Sequence, residues 1–146
     1  MFERYLQDGS VKKVSIDKEL AKSLIKIATF RMEKAKKEKP TDENAFFIVE
    51  NAYEAVKELI DAIMTLDGYK SYSHEACIDF LKQFYAKEIA MAMIFRIDRY
   101  RKLRNDIKYR GILPSLNEGK GAIIDMGEAF VVLRSLINRK MGKQHV

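Results

Sequence analysis

The stretch DENAFFIVENAYEAVKELIDAIMTLD, residues 42–67, decides the fold. Its apolar side chains recur every three or four residues, which is the spacing that lines one face of an α-helix. This stripe consists of Val49, Ala52, Val56, Leu59, Ile63 and Leu66. Gly68 follows and predicts the end of the helix, because glycine readily adopts the left-handed conformation that closes a helix. The stretch therefore predicts one long amphipathic helix with a single core-facing side.

Helical periodicity continues on both sides of this stretch. Further helices are predicted at residues 15–39, 73–85, 87–109 and 115–141. Ser15 and Ser73 are suited to cap the helices that follow them, and Ser115 with Glu118 has the spacing of a capping box. Residues 89–95 are apolar nearly all round, so we expect them at the centre of the core.

The predicted helices are joined by short connections, which favour antiparallel neighbours. No strand-like alternation persists along the chain. We therefore expect an all-α protein, an up-and-down bundle of four main helices with an additional C-terminal helix or helix extension. Residues 1–14 and 142–146 are expected to be flexible.

Length and composition favour one domain in a reducing compartment. The 146 residues suffice for a single core without disulfides or metals, and Cys77 is the only cysteine. No apolar run approaches the ~18 residues of a membrane span, and we expect no signal peptide. We expect a cytoplasmic protein with no membrane association.

Basic charge is concentrated in two blocks. Residues 11–39 contain ten Lys/Arg and four Asp/Glu, and residues 96–110 contain seven and two, within a chain of net charge +6. Such blocks attract nucleic acid or an acidic protein, although they also occur as ordinary solvated helix faces.

The most informative segment is residues 99–111, RYRKLRNDIKYRG. On a helix, Arg101, Asn105 and Lys108 lie close to one face, and Arg104 also neighbours Lys108. Arginine donates paired hydrogen bonds that suit a phosphate, and nearby tyrosines can stack on bases. Tyr100 and Tyr109 are the candidates for stacking, although Tyr100 also falls in the expected buried stripe of this helix with Ile97, Leu103 and Ile107. These residue types indicate either a phosphate site or a solvated basic helix end.

Four segments of the chain resemble the HEPN family of small helical domains. They are residues 53–60 (YEAVKELI), 66–75 (LDGYKSYSHE), 81–85 (LKQFY) and 101–109 (RKLRNDIKY). The resemblance implies a homodimeric helical bundle associated with RNA or nucleotides. It also implies a ribonuclease toxin of a toxin–antitoxin pair, or the partner of a small nucleotidyltransferase.

In the ribonucleases of this family, an arginine is followed after four to six residues by a histidine. Arg104 and Asn105 match the start of that motif, and Tyr109 stands where the histidine is expected. The resemblance therefore makes Arg104, Asn105 and Tyr109 the catalytic candidates. The phosphate-binding candidates are Arg101, Arg104, Lys108 and Arg110.

The tyrosine changes the expected chemistry. Histidine titrates near ~6.5 and exchanges protons at neutral pH, whereas the phenol of tyrosine ordinarily titrates near ~10. Loss of general acid–base catalysis typically costs ~10²–10⁴ in rate. We therefore expect a degenerate motif that binds RNA or a nucleotide. An active metal-independent endoribonuclease and a non-catalytic protein-interaction module remain the alternatives.

Other polar residues are given structural interpretations. His74 is expected to be a capping or surface residue, and Cys77 a small core residue. Asn51, Glu54, Glu58 and Asp61 are expected to form a solvated or dimer-facing strip. They lack the Glu-x-x-His pattern of di-metal bundles, so we predict no metal site and no cofactor.

Overall fold

The computed structural model describes residues 2–144, which contain six helices and one pair of short strands. The helices are α1 (Glu3–Asp8), α2 (Lys18–Lys37), α3 (Ala45–Leu66), α4 (His74–Phe84), α5 (Met91–Arg110) and α6 (Leu116–Gln144). The strands are β1 (Val11–Lys13) and β2 (Tyr69–Ser71). The predicted all-α bundle is confirmed. Within the described range, no helix combines the length and apolarity needed to cross a lipid bilayer.

Helix α3 lies at the centre of the bundle and contacts α2, α4, α5 and α6. All six residues of its predicted stripe are buried, and so are Tyr53, Ile60 and Ala62 on other sides of the helix. A helix that is apolar on most sides is stable only when neighbours cover it. The stretch that decides the fold is therefore also the axis on which the bundle is assembled.

The prediction that residues 89–95 occupy the centre of the core is wrong. Ile89 and Ile94 are buried, but Met91 and Phe95 are exposed. Helix α5 starts only at Met91, so its first turns have one buried side and one solvent-facing side. Apolar composition alone does not determine which side is covered.

The termini of the helices largely follow their predicted caps. The Ser73 hydroxyl accepts a hydrogen bond from the Ala76 N–H, and Ser115 and Glu118 form the reciprocal capping box. Helix α2 is the exception, because Asp17 rather than Ser15 caps it through the Leu20 N–H at 2.9 Å. The predicted terminal glycine, Gly68, has a positive φ value, and so does Gly111, which ends α5.

The N-terminal segment is ordered, so the prediction of a flexible lead-in is wrong. Phe2, Tyr5 and Val11 are buried, and β1 pairs antiparallel with β2, placing Val11 opposite Ser71. The segment is ordered because its apolar side chains enter the core while its backbone bonds to the connection between α3 and α4. The pair of strands is likewise absent from the sequence-based prediction.

The C-terminal helix α6 has 29 residues and packs along α3, so it is a main member of the bundle. Its apolar stripe, in which residues recur every three or four positions, is buried and comprises Ala122, Met126, Ala129, Leu133 and Leu136. The helix continues to Gln144, beyond the predicted end near Met141. The remainder of the expected flexible tail, residues 145 and 146 with His145, lies outside the described residues.

Candidate phosphate-binding site

A group of polar side chains gathers where α3, the start of α4 and the second half of α5 meet. We call it the polar cluster, and its members are Tyr53, Glu54, Lys57, His74, Arg101, Arg104, Asn105 and Lys108. Helix α5 buries Ile97, Tyr100 and Ile107, which turns its basic side toward the cluster. The same periodicity that builds the core therefore positions the cations.

Arg104 lies inside the cluster and is paired with a carboxylate. Its Nε lies 3.2 Å from Oε1 of Glu54, and only 12% of the arginine side chain is exposed. Its Nη1 donates a hydrogen bond to Oδ1 of Asn105 at 3.3 Å. The Glu54 contact is an ion pair without an aligned hydrogen bond, since this buried Oε1 has no hydrogen-bond donor among the described residues. A phosphate site at this position requires an exposed and unpaired guanidinium, and the structure contradicts that expectation for Arg104 in the free protein.

The other two candidate arginines, Arg101 and Arg110, are also paired. Arg101 Nε donates to Oδ1 of Asp98 at 2.7 Å, and both side chains are largely covered. Arg110 lies 3.4 Å from Asp106, one turn earlier, and is mostly exposed. Exposed ion pairs of this kind contribute little to stability, so Arg110 is easily released.

Lys108 and Tyr109 form the accessible edge of the cluster. Lys108 is exposed, and within residues 2–144 no carboxylate lies within ion-pair distance of it. Its Nζ lies 5.7 Å from the centroid of the Tyr109 ring, which is a cation–π distance. Tyr109 is 70% exposed, so its face is open to a ligand.

Tyr100 does not offer a stacking surface. It is buried, and its hydroxyl donates a hydrogen bond to Oδ2 of Asp125 on α6 at 2.9 Å. The expectation that this tyrosine stacks on a base is therefore wrong. The spacing that places Tyr100 on the buried side of α5 also removes it from solvent.

His74 belongs to the polar cluster and is not simply a surface or capping residue. Its Nδ1 lies 2.9 Å from the Tyr53 hydroxyl, and the two rings stack with centroids 5.9 Å apart. Burial lowers the pKa of His74 to about 4, with further lowering by the charges of Lys57, Arg104, Arg101 and Lys108. The imidazole is therefore neutral at pH 7.

Sequence reasoning missed this role for His74. Tyr53 and His74 are 21 positions apart, and the hydrogen bond between them is created by the turn from α3 into α4. The available signals were their occurrence in the two adjacent segments that resemble the HEPN family and the Ser73 cap, which fixes the start of α4.

The acidic strip of α3 is neither solvated nor free. Glu54 pairs with Arg104, Glu58 lies 2.6 Å from Nε of Arg31, and Asp61 accepts a hydrogen bond from Lys57 at 2.7 Å. Burial raises the pKa of both Glu58 and Asp61, and the neighbouring cations oppose that rise. Each carboxylate of the strip therefore compensates a basic side chain within the bundle.

Cys77 is buried, as predicted, and its thiol contacts Asp61 at 3.7 Å. Burial raises the pKa of this thiol to about 12, so it is inert as a nucleophile at neutral pH. Among residues 2–144, no group of three or more His, Cys, Asp or Glu side chains is arranged to hold a metal ion.

Comparison with protein-family models, with curated proteins and with solved structures finds no match to this chain. The chemistry of the polar cluster must therefore be argued from its own residues. In the described part of the chain, these offer a neutral imidazole, an unpaired ammonium and two guanidinium groups held by carboxylates, and the open ring of Tyr109 lies beside them.

Proposed function

We propose that this chain is an HEPN-type domain that binds RNA or a nucleotide at the polar cluster. The observation that carries the proposal is that Arg104 and Lys108 lie one turn apart on α5. Lys108 is exposed and unpaired in the described part of the chain, and Arg104 is held by Glu54 without an aligned hydrogen bond. Two neighbouring cations on one helix favour an anion beside them. The resemblance to the HEPN family supplies the class of ligand.

Residues of the polar cluster and the adjacent Tyr109 and Arg110 have different roles in binding. Lys108 attracts the phosphate first, because it is exposed and unpaired among the described residues. Arg104 then binds a phosphate, with Asn105 orienting the guanidinium through its side-chain oxygen. Tyr109 stacks on a base or sugar. Arg101 and Arg110 add long-range attraction and are released from their carboxylates as needed.

Binding is favoured over catalysis by the state of the histidine. A general base works best when its pKa lies near the ambient pH, and the pKa of His74 is lowered to about 4. Tyr109, at the position where the family's ribonucleases have histidine, is a phenol. The ribonuclease motif of this chain is therefore proposed to be degenerate.

A metal-independent endoribonuclease is the second candidate, because His74 lies in the same cluster as Arg104. RNA incubated with the purified protein in EDTA tests it. Cleavage to 2′,3′-cyclic phosphate ends that is lost in His74→Gln and in Arg104→Gln would establish the enzyme. If the RNA remains intact in the same assay, the non-catalytic binding function is favoured.

The binding proposal is tested by titrating single-stranded RNA at several salt concentrations. Removing one phosphate contact reduces the slope of log affinity against log salt by about 0.7 for single strands. We expect this reduction in Lys108→Ala but not in Lys26→Ala, a matched exposed lysine on α2. Equal slopes for both variants would overturn RNA binding at the polar cluster, and a chain that binds neither RNA nor a nucleotide would overturn the proposal. In that case a module that docks an acidic protein would be favoured.

The resemblance further leads us to propose a homodimer located in the cytoplasm. Its partner would be a nucleotidyltransferase, or the antitoxin of a toxin–antitoxin pair. Native mass measurement tests the dimer, and co-purification with a nucleotidyltransferase encoded beside this chain tests the partner.

A further inference from the structure

We propose that Arg104 recognises a doubly charged phosphate monoester, such as a nucleotide or a phosphorylated RNA end, and that Glu54 withholds Arg104 from singly charged phosphodiesters. The inference rests on the proposed function, because it concerns the ligand of the same polar cluster. It assigns Glu54, a residue of the central helix, to the control of binding.

Glu54 already occupies the position of a bound anion. Its Oε1 lies 3.2 Å from Arg104 Nε, while Asn105 accepts from another nitrogen of the same guanidinium. A ligand that binds Arg104 must therefore compete with a covalently tethered carboxylate. The pair is held without an aligned hydrogen bond, since Glu54 Oε1 is buried and lacks a donor within residues 2–144. The contact is consequently replaceable by an anion with better geometry.

The charge of the competitor decides the exchange. A phosphodiester carries a single negative charge, as does the glutamate it would displace, so the exchange gains no net attraction. A phosphate monoester carries about −1.5 to −2 at pH 7 and has three terminal acceptor oxygens. It can engage the arginine with two parallel hydrogen bonds and still reach a second cation. Lys108 lies one helical turn further along α5 and is available for that contact.

Access to Arg104 favours the same ligand. With 12% of its side chain exposed, Arg104 can be approached only over a small part of its surface. A terminal phosphate can approach so small an exposed area end-on, whereas an internal phosphodiester brings nucleotides on both sides. Accessible Lys108 and Tyr109 lie at the edge of the cluster, where the remainder of the nucleotide would rest.

When a ligand displaces Glu54 from Arg104, another cation still compensates the negative charge of the glutamate. Lys57 lies one turn further along α3, and the charge of Glu54 already contributes to raising the pKa of that lysine. The charge of Arg104 also acts on His74, which is neutral in the absence of ligand. An incoming dianion would favour protonation of this imidazole and gain a further donor.

The chain contains a matched control for Glu54. Glu58 lies one turn along the same helix and forms the corresponding pair with Arg31 at 2.6 Å, again through a buried carboxylate oxygen that finds no hydrogen-bond donor in the described part of the chain. Arg31 belongs to α2 and not to the polar cluster. Glu58→Gln therefore removes an equivalent charge without releasing Arg104.

The experiment measures affinities at pH 7.5 by calorimetry for three probes. These are a nucleoside 5′-monophosphate, a short 5′-phosphorylated RNA and the same RNA with a 5′-hydroxyl. For the wild type we expect the phosphorylated RNA to bind about tenfold more tightly than its hydroxyl match, or about 1.4 kcal/mol. Arg104→Gln should abolish this preference. If the nucleoside monophosphate binds as tightly as the phosphorylated RNA, the ligand is a free nucleotide. If the nucleoside monophosphate does not bind, the ligand is a phosphorylated RNA end.

Glu54→Gln should tighten binding of the phosphorylated RNA on the order of tenfold, because Arg104 becomes available in a larger fraction of molecules. Glu58→Gln should not. The double variant Glu54→Gln/Arg104→Gln removes both charges of the ion pair, so neither partner is left buried and unpaired. It replaces Arg104→Gln in the binding assay if that single variant fails to fold. The double variant should show no preference for the phosphorylated RNA.

Two results would overturn the inference while leaving the proposed function intact. One is equal affinity for the two RNAs with both weakened by Arg104→Gln, and the other is a Glu54→Gln variant that binds no more tightly than wild type. Failure of the wild type to bind any probe would remove the proposed function together with the inference.

Discussion

The Tyr53 hydroxyl and Nδ1 of His74 lie 2.9 Å apart, and their rings stack at an interplanar angle of 22°. The tyrosine comes from the middle of the central helix α3, and the histidine is the first residue of α4. This single contact fixes the orientation of the imidazole in the polar cluster. It also leaves Nε2 as the ring nitrogen available for a ligand.

Replacing Tyr53 by phenylalanine tests the contribution of this hydrogen bond. The ring remains buried, but the imidazole loses its partner, so the free energy of unfolding should fall by about 1 kcal/mol. Urea denaturation measures the change. Tyr72→Phe is the control, because Tyr72 is mostly exposed. Removing its hydroxyl should change the free energy of unfolding by less than about 0.5 kcal/mol. Equal stabilities for the two variants would contradict the prediction.

Stability should depend on the protonation of His74 in a defined pH range. Its pKa is about 4 in the folded protein, against 6.5 ordinarily, so the unfolded chain binds more protons between these values. Stability should therefore fall as the pH decreases from 6.5 to 4. Because the side chain is partly solvated, we expect a loss of about 1 kcal/mol instead of the full electrostatic value.

The difference in unfolding free energy between wild type and His74→Gln isolates this effect, because the carboxylates titrate in both proteins. NMR titration of the imidazole gives the pKa directly. Arg104→Gln should raise that pKa, since the charge of Arg104 contributes to lowering it. An imidazole that titrates near its ordinary value of 6.5 in the wild type would refute the assignment of His74 to the cluster.

The N-terminal segment should be essential for stability. Phe2 is buried, and its ring centroid lies 5.4 Å from that of Tyr69 and 5.7 Å from that of Phe80. Phe2→Ala should reduce the free energy of unfolding by roughly 3 kcal/mol, as expected for a phenylalanine removed from a core. Phe30→Ala, at a mostly exposed position, is the control in the same urea experiment. A negligible effect of Phe2→Ala would support the original prediction that residues 1–14 are flexible.

Two glycines with nearly the same backbone conformation should respond differently to alanine. Gly9 has φ +82° and open space where a Cβ would lie, whereas at Gly68, with φ +85°, a Cβ would lie 3.1 Å from the Val14 carbonyl oxygen. Both alanines incur the left-handed cost of about 1 kcal/mol, and only Gly68→Ala adds a steric conflict. Thermal unfolding should show a larger loss for Gly68→Ala, and equal losses would contradict the prediction.

Periodicity is sufficient to predict the main helices. The stripe of α3 from Val49 to Leu66 is buried without exception, and the capping box at Ser115 begins α6 as expected. These features depend on residues three or four positions apart, so a single sequence contains them fully. Helices and caps are therefore predicted correctly where they depend on interactions between residues close in sequence.

Periodicity does not predict the N-terminal elements. Helix α1 has six residues and β1 has three, which is too short for either period to be recognised. Their order depends on Phe2 and Val11 finding apolar partners far along the chain. Such partners are specified by the assembled bundle and not by neighbouring residues.

The candidate-site residues on α5 could be predicted, but the contribution of His74 and the pairing of Arg104 could not. The sequence indicates Arg104, Asn105 and Lys108, and the structure brings them together at one end of α5. It could not indicate that Glu54 holds Arg104, because the two lie far apart in the chain and their contact depends on how α3 and α5 cross. The electrostatic state of a buried arginine is a property of tertiary structure.

The ion pair between Arg104 and Glu54 also constrains how this protein can change over evolutionary time. Loss of the arginine alone would strand a partly covered carboxylate in the bundle, and loss of the glutamate alone would leave an uncompensated guanidinium. Substitutions at positions 54 and 104 should therefore occur jointly in diverging lineages. Such correlated replacement would mark descendants of this chain even after the rest of their sequences had drifted apart.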